Sequence, residues 1–421
     1  MPNTVSSIWA ATAVPAPATP ALTGSLKTDV LVVGAGFTGL TAALRLAEGG
    51  ASVLVADSHE PGYGASGRNG GQVIPGLKLD PDELDAVFGE ETTAFAGQAA
   101  DVVFDLVERY GIDCEPQRSG WIQPTVKQAH VPVLEKRLKQ WQDRGADCEW
   151  LDADPLSDKI GSRFFVGGWF DKRAGTIHPL NYARGLARAA QAAGVRIHGG
   201  SEVTSLKRRG GRWLAQFATG ASVTADNVIV ATNGYSGSLW PALKRSIVPV
   251  RSFQVATVPL SGDQLERILP ARCGVSDTRR VGHYFRIGSG GRAMIGGRGG
   301  FSEPSPPTDY RHVISALHAV YPALASVPLE FFWSGTLAMT QDHLPHIHEP
   351  APGLTMVLGY NGRGVAMASA VGTAIGAHLL DPKRNLPLKL SDIRPLPLHA
   401  LHPAYASIVV WYYRLRDALE T

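Results

Sequence analysis

Cysteine is scarce in this chain: Cys114, Cys148 and Cys273 are dispersed over 421 residues. That odd, scattered set forms neither a disulfide framework nor a metal-ligand spacing, and it suits a reducing cytoplasm. No apolar run approaches the roughly 20 residues needed to span a bilayer, so a transmembrane helix is not expected. Charge is sparse as well, with 18% charged residues and a formal net charge of +3. Lys and Arg are scattered, and no basic run interleaves with aromatics, which argues against a nucleic-acid partner. Internal repeats and low-complexity tracts are absent too. The first residues, Met1 to Gly24, are rich in Ala, Pro and Thr but lack a basic start. They are expected to form an extended tail on the surface and not a secretory signal.

What the chain does have is hydrophobic residues at 44% and 47 glycines. That composition supports a packed core, and a length about twice the usual domain suggests two domains. The glycines cluster in loops, where bare backbone can approach a ligand closely.

One such cluster sits in a complete βαβ pattern. Asp29 to Val33 is an apolar run suited to a buried parallel strand. It enters Gly34-Ala35-Gly36-Phe37-Thr38-Gly39, a helix-forming stretch follows from Leu40 to Ala47, and a second apolar run, Ser52 to Ala56, ends at Asp57 and Ser58. Gly34 would make the tight turn, Gly36 would admit a pyrophosphate, and Gly39 would let the helix pack on the sheet. The helix start, with Phe37 and Thr38, would offer amides and a positive dipole end to the phosphates, and Asp57 would bind ribose hydroxyls. A dinucleotide site is therefore expected.

Three further segments select FAD over NAD. A Gly-rich loop, Gly62-Tyr63-Gly64-Ala65-Ser66-Gly67-Arg68-Asn69-Gly70-Gly71-Gln72, follows Asp57 directly. A strand at Asn227 to Val230 ends in Ala231-Thr232-Asn233-Gly234. A third, Leu354 to Leu358, leads into Gly359-Tyr360-Asn361-Gly362-Arg363-Gly364 and a small-residue helix from Val365 to Leu379. A nicotinamide enzyme needs no such distant element. A flavin needs donors around its ring system, and amides at a helix start stabilise negative charge arriving with a hydride.

These segments resemble the D-amino-acid-oxidase-like family of FAD-dependent amine and amino-acid oxidoreductases. Within it the match is to the branch of gamma-glutamylputrescine oxidoreductase and bacterial L-pipecolate oxidase. The resemblance rests on Gly34 to Gly39, Gly64 to Gln72, Ala231 to Gly234 and Trp333 to Gly364, and it spans Thr28 to about Leu380. It implies an α/β fold: a discontinuous Rossmann-type FAD-binding domain (27–80, 176–250 and 330–385) with an inserted substrate domain (81–175 and 251–329) on a mixed or antiparallel sheet. The remaining segments would be the tail 1–26 and a C-terminal tail with a helix, 386–421. It also implies Val203 and Gly335 as cofactor contacts.

Two departures from the family pattern are informative. Relatives that tether flavin covalently carry a Cys near the position of Gly335, and none lies close here, so FAD is expected to bind non-covalently. Relatives that clamp a substrate carboxylate carry a Lys where this chain has Ala366.

Amine oxidation by flavin takes hydride from the carbon beside nitrogen, so the protein must orient and desolvate a neutral amine. Tyr284 and Arg286, two apart on an expected strand, would share one face, as would Arg251 and Phe253. Tyr284, Arg286, Arg251 and Trp333 are the candidates for the substrate shell, an Arg being suited to a substrate carboxylate. His343, His346 and His348 are interrupted by Pro345 and are read as structural, and His178 as a turn residue, so no metal is expected. The apolar, aromatic stretch Ile408 to Arg416 would dock on protein or touch a membrane surface. The expected activity is a cytoplasmic oxidase of a small amine or imino acid with molecular oxygen as acceptor. The alternatives are a dehydrogenase passing electrons to a membrane quinone and a non-catalytic protein that keeps the fold.

Overall fold

Two eight-stranded sheets organise the computed structural model, which describes residues 7–279 and 281–419. The elements that position the site begin with helix α1 (Ile8–Thr12), strand β1 (Ser25–Val33), helix α2 (Phe37–Glu48) and strand β2 (Val53–Ala56). Strand β3 (Trp121–Thr125), helix α3 (Pro179–Ala192) and strand β4 (Ser222–Val230) follow. Next come β5 (Val248–Thr257), β6 (His283–Gly288), β7 (Arg292–Arg298) and β8 (Leu329–Met339). Strand β9 (Leu354–Leu358) then leads to helices α4 (Gly364–Leu380) and α5 (His402–Leu419).

The first sheet has a parallel centre in the order β9, β4, β1, β2. Val33 stands opposite Ala56 on one side and Val230 on the other, so three strands end level and their following loops meet. Strands β2 and β9 are buried at every position, which is why their sequences are unbroken apolar runs. Helices α2 and α4 cover one face at very close range. A Cβ on Gly372 would lie 2.3 Å from the Thr38 carbonyl oxygen, so only glycine permits that approach. The other face buries Leu31, Leu54 and Trp213 in a separate cluster. Each such large apolar side chain contributes roughly 1.5–3 kcal/mol.

The second sheet runs β8, β5, β7, β6, then Gly274–Ser276, β3, Gly167–Asp171 and Cys148–Asp152. It is antiparallel except where β3 lies parallel to Gly274–Ser276. The architecture is the expected Rossmann-type layer plus an inserted mixed sheet. One boundary differs from expectation: the cofactor domain does not resume at residue 330, since β8 pairs with β5 along its length and belongs to the second sheet. Alternation alone could not show which sheet an edge strand would join.

The N-terminal segment also differs from expectation. Residues 13–23 form neither helix nor strand, but Ile8 and Trp9 in α1 are fully buried rather than lying on the surface. The Trp9 indole donates to the Asn69 carbonyl at 2.8 Å and meets Trp333 edge-on. A five-residue helix is too short to show a hydrophobic period, so this anchor left no pattern in the sequence.

Candidate active site

The Gly34–Gly39 turn is built as its spacing predicts. Gly34 has φ +111°, and a Cβ on Gly39 would fall 1.9 Å from the Gly34 carbonyl oxygen. Helix α2 starts at Phe37 without a side-chain cap from Gly36, and Ser66 Oγ accepts from the Phe37 amide at 3.1 Å. Asp57 accepts from the Ala35 amide at 2.7 Å and the His59 amide at 2.8 Å. Burial pushes its carboxyl above the ordinary range, opposed by those two amides. Each oxygen retains acceptor capacity for a ribose hydroxyl.

The loop from Ala65 to Gln72 ties this turn to the second sheet. Asn69 folds back, donating to the Ala65 and Ser66 carbonyls and accepting from the Gly71 amide. The Arg68 carbonyl accepts from Gln254 Nε2 at 2.6 Å and from the Trp333 indole at 3.0 Å. Gln72 donates to the Val275 and Phe285 carbonyls and accepts from Ser276. From the other side, Asn233 Oδ1 accepts from the Gly359 amide, and Asn361 Oδ1 from the Thr340 amide. Both asparagines adopt positive φ, which their short polar side chains tolerate.

A cavity of about 740 Å³ joins these parts. Of the sequence candidates, Gly34, Gly36, Phe37, Thr38, Asp57 and Ser58 line one end. The Ala65, Ser66, Arg68, Asn69, Gly70 and Gln72 stretch lines the middle. Ala231 to Asn233, Val203, Gly335 and the turn Asn361 to Val365 complete the walls. Gly39, Gly71, Gly234 and Gly359 stand behind the lining, where they permit close backbone packing.

The substrate-shell candidates divide. Tyr284 lines the cavity, packs on Gly70 and hydrogen-bonds Ser252 at 2.7 Å; burial raises its phenol pKa, so it stays protonated. Arg251 lines the cavity, pairing with Glu303 at 2.6 Å and donating to Ser334. Arg286 does not line it. It shares the face of Tyr284 but runs beneath the loop, donating to the Gly71 and Ile177 carbonyls under Trp9. Trp333 does not wall the cavity either, being fully buried with its indole spent on Arg68. Phe253 packs in the core of the second sheet.

Residues missed in the sequence also line the cavity: Lys78, Trp121, Gln123, Gln254, Arg279 and His283. Gln254 lies on the opposite face of β5 from Phe253, and its alternation with Ser252 was the available signal. His346 and His348 bond Asp342 and Ser391 instead of facing this space, and His178 Nδ1 caps α3 by accepting from Asn181.

The donor set fits FAD. A helix start with glycine at its cap position, a bare glycine turn and an acid at the β2 end suit the adenosine diphosphate half. On the ring side, Gln254 Oε1 is buried with no hydrogen-bond partner and lines the cavity, so it presents an acceptor to a ligand N–H. The start of α4, capped by no side chain, faces the same space. The three cysteines are buried away from the cavity lining.

Comparison with known proteins defines the class. A family profile described as FAD dependent oxidoreductase matches residues 29–377, and the chain belongs to that family. It is thus an FAD-dependent enzyme acting on the carbon–nitrogen bonds of amines or amino acids. Among relatives, it is 31% identical over 432 residues to gamma-glutamylputrescine oxidoreductase of Escherichia coli (strain K12), covering 100% of both chains. It is 33% identical to the probable oxidoreductase OrdL of Rhizobium meliloti (strain 1021), covering 95% of each. The fold resembles glycine oxidase from Geobacillus kaustophilus, with TM-score 0.74 and 19% identity over 88% of this chain and 99% of that one. L-proline dehydrogenase from P. horikoshii gives the same TM-score and identity, covering 86% and 96%.

Proposed function

We propose that this enzyme is an oxidase of a small amine or imino acid, similar in substrate to L-pipecolate or gamma-glutamylputrescine, that gives an imine and hydrogen peroxide. The observation that supports it is the single cavity joining the Gly34–Gly39 turn, the start of α4 and the side chains of the second sheet. Bound FAD supplies the two-electron acceptor for a hydride from the carbon beside nitrogen. The chain's own part is positioning and drying. Trp121, Ile74 and the Tyr284 ring present apolar surface that favours the neutral amine over its ammonium form. Tyr284 stays a phenol and serves as a hydrogen-bond partner, not a base. Arg251 is braced by Ser334 and Glu303 and can orient a polar substrate group. The hydride and the nitrogen proton leave as two electrons and two protons, which convert one oxygen molecule to peroxide. Water then hydrolyses the imine. A cytoplasmic location is part of this reading.

A second reading keeps the flavin chemistry but sends the electrons to a membrane quinone. It is favoured by α5, where Ile408, Val409, Trp411 and Tyr412 are exposed together, a face suited to a lipid surface. No helix among the described residues is long and apolar enough to cross a membrane. Anaerobic titration of the purified protein with candidate amines, followed by air, separates the readings. Bleaching with recovery and peroxide release supports the oxidase, bleaching without recovery the quinone-linked enzyme. No flavin absorbance, even after adding FAD, would leave a non-catalytic protein with the family's fold.

A further inference from the structure

A second cavity, of about 300 Å³, shares the Trp240 side chain with the flavin cavity. Its polar walls are His348 and Glu349, from the strand His346–Ala351, and Ser391 and Asp392, from the segment hydrogen-bonded beside that strand. None of these four lines the flavin cavity. His348 is only 3% exposed, and its Nδ1 lies 2.7 Å from the Ser391 carbonyl oxygen. A carbonyl can only accept, so Nδ1 carries the proton and Nε2 of the neutral ring keeps its lone pair. Burial lowers the pKa of this imidazole, which favours that neutral form. Nε2 is buried and has no hydrogen-bond partner. The neighbouring His346 differs, since Asp342 meets its Nε2 at 3.1 Å and the Ser391 hydroxyl its Nδ1 at 3.0 Å.

A buried acceptor left unpaired is costly, and an arriving donor removes that cost. Glu349 and Asp392 add two exposed carboxylates to the same wall. Among the described residues no Lys or Arg pairs with either of them. The cavity thus offers a bare imidazole nitrogen, negative charge and an aromatic ring, a set that calls for a cation with several N–H groups. A metal ion does not suit it, because among the described residues no three His, Cys, Asp or Glu side chains are grouped to hold one. A primary ammonium does: it carries one positive charge and three donors, and an indole face attracts it.

We propose that this second cavity binds a primary alkylammonium ion, with His348 Nε2, Glu349 and Asp392 accepting its N–H groups and Trp240 beside its charge. An aliphatic amine resembles a Lys side chain, whose pKa is about 10.4, so it circulates as the ammonium at neutral pH. The two cavities therefore select opposite forms of one chemical class. Apolar walls in the first favour the neutral amine that can be oxidised, and acids in the second favour the ion. The second site binds the amine and takes no part in its oxidation.

The test uses the FAD-bound protein and three probes of similar size, followed by calorimetry. Tert-butylammonium has no hydrogen on the carbon beside nitrogen, so the flavin cannot oxidise it. Tetramethylammonium is a cation without N–H groups, and tert-butanol is neutral. Wild type should bind tert-butylammonium more tightly than either control. Glu349→Gln and Asp392→Asn, both at exposed positions, should each weaken it about threefold to tenfold while leaving the controls unchanged. In protein carrying nitrogen-15 histidine, tert-butylammonium should shift the Nε2 resonance of one ring, the ring whose signals are missing from His348→Gln. No binding to wild type, or equal binding to wild type and both variants, overturns the site, since any bound ion then lies elsewhere. Tetramethylammonium binding as tightly as tert-butylammonium overturns it too, because N–H recognition would be absent. Equal losses for all three probes would mean a general change of cavity shape, and an unmoved His348 resonance would mean that its nitrogen meets no ligand; either result also overturns it.

Discussion

Thr38 Oγ1 and the Tyr360 hydroxyl lie 2.7 Å apart, a hydrogen bond between residues 322 positions apart in the chain. It joins the first turn of α2, at the phosphate end of the cavity, to the glycine turn before α4 at its ring end. Both partners are buried, and burial raises the Tyr360 phenol so that it remains a donor.

Tyr360→Phe should therefore leave Thr38 without its partner and cost about 1–3 kcal/mol. The expected signature is lower stability in urea, together with weaker FAD retention, because the two halves of the site are no longer latched. Unchanged FAD affinity at reduced stability would show that the latch serves folding alone.

Gly39→Ala places a methyl 1.9 Å from the Gly34 carbonyl oxygen, and the helix must shift to admit it. The shift moves the start of α2 away from the phosphates. Purified Gly39→Ala should be colourless or lose FAD on dilution, measured as the flavin-to-protein absorbance ratio.

Trp9→Ala empties a fully buried site that supports Asn69, Trp333 and Arg286. A loss of about 3–5 kcal/mol is expected for a buried Trp. Since Trp9 braces the loop behind Arg68, FAD affinity should fall with it. A variant as stable as wild type would mean that α1 is detached in solution.

Lys78 gives a pH dependence with a definite sign. Its ammonium is reached by solvent through the cavity, yet the enclosing protein lowers its pKa from 10.5 to about 8, desolvation being the main cause. The folded state therefore binds this proton more weakly than the unfolded state, and the charged Lys78 destabilises the ligand-free fold at neutral pH. Lys78→Met should be more stable than wild type at pH 7, with the gap narrowing between about pH 8 and 10.5. Denaturation of both proteins across that range measures it. A gap that does not change with pH would show that Lys78 titrates normally.

Acid precipitation should release all the FAD into the supernatant. Cys114, Cys148 and Cys273 are buried, burial pushes each thiol up to about 12, and none lines the cavity. Yellow colour remaining with the washed protein would mean a covalent link through another residue.

The cofactor half of the site was legible because backbone requirements write themselves into local sequence. Gly34, Gly36 and Gly39 stand at the spacing that the turn demands, and Asp57 ends an apolar strand of the right length. The Asn361 to Val365 turn likewise follows its strand and opens a helix. The substrate half was less legible, because its side chains are placed by packing between distant strands and loops. The period of two placed Tyr284 and Arg286 on one face correctly, but only packing showed that the loop at Gly70 and Gly71 separates them, leaving Tyr284 in the cavity and Arg286 beneath it. Trp333 is no wall of the cavity, because its indole donates to the Arg68 carbonyl instead.

By itself, the sequence determined the class of cofactor, the layered fold and the residues whose backbone must come close to phosphate. These follow from steric rules acting within a few residues. The tertiary structure decided which strand joins which sheet, that Trp9 is an anchor, and that Lys78 and Arg363 line one cavity. Those relations depend on contacts between positions far apart in the chain, as with Trp9 and Asn69, whose hydrogen bond forms only when the chain has folded.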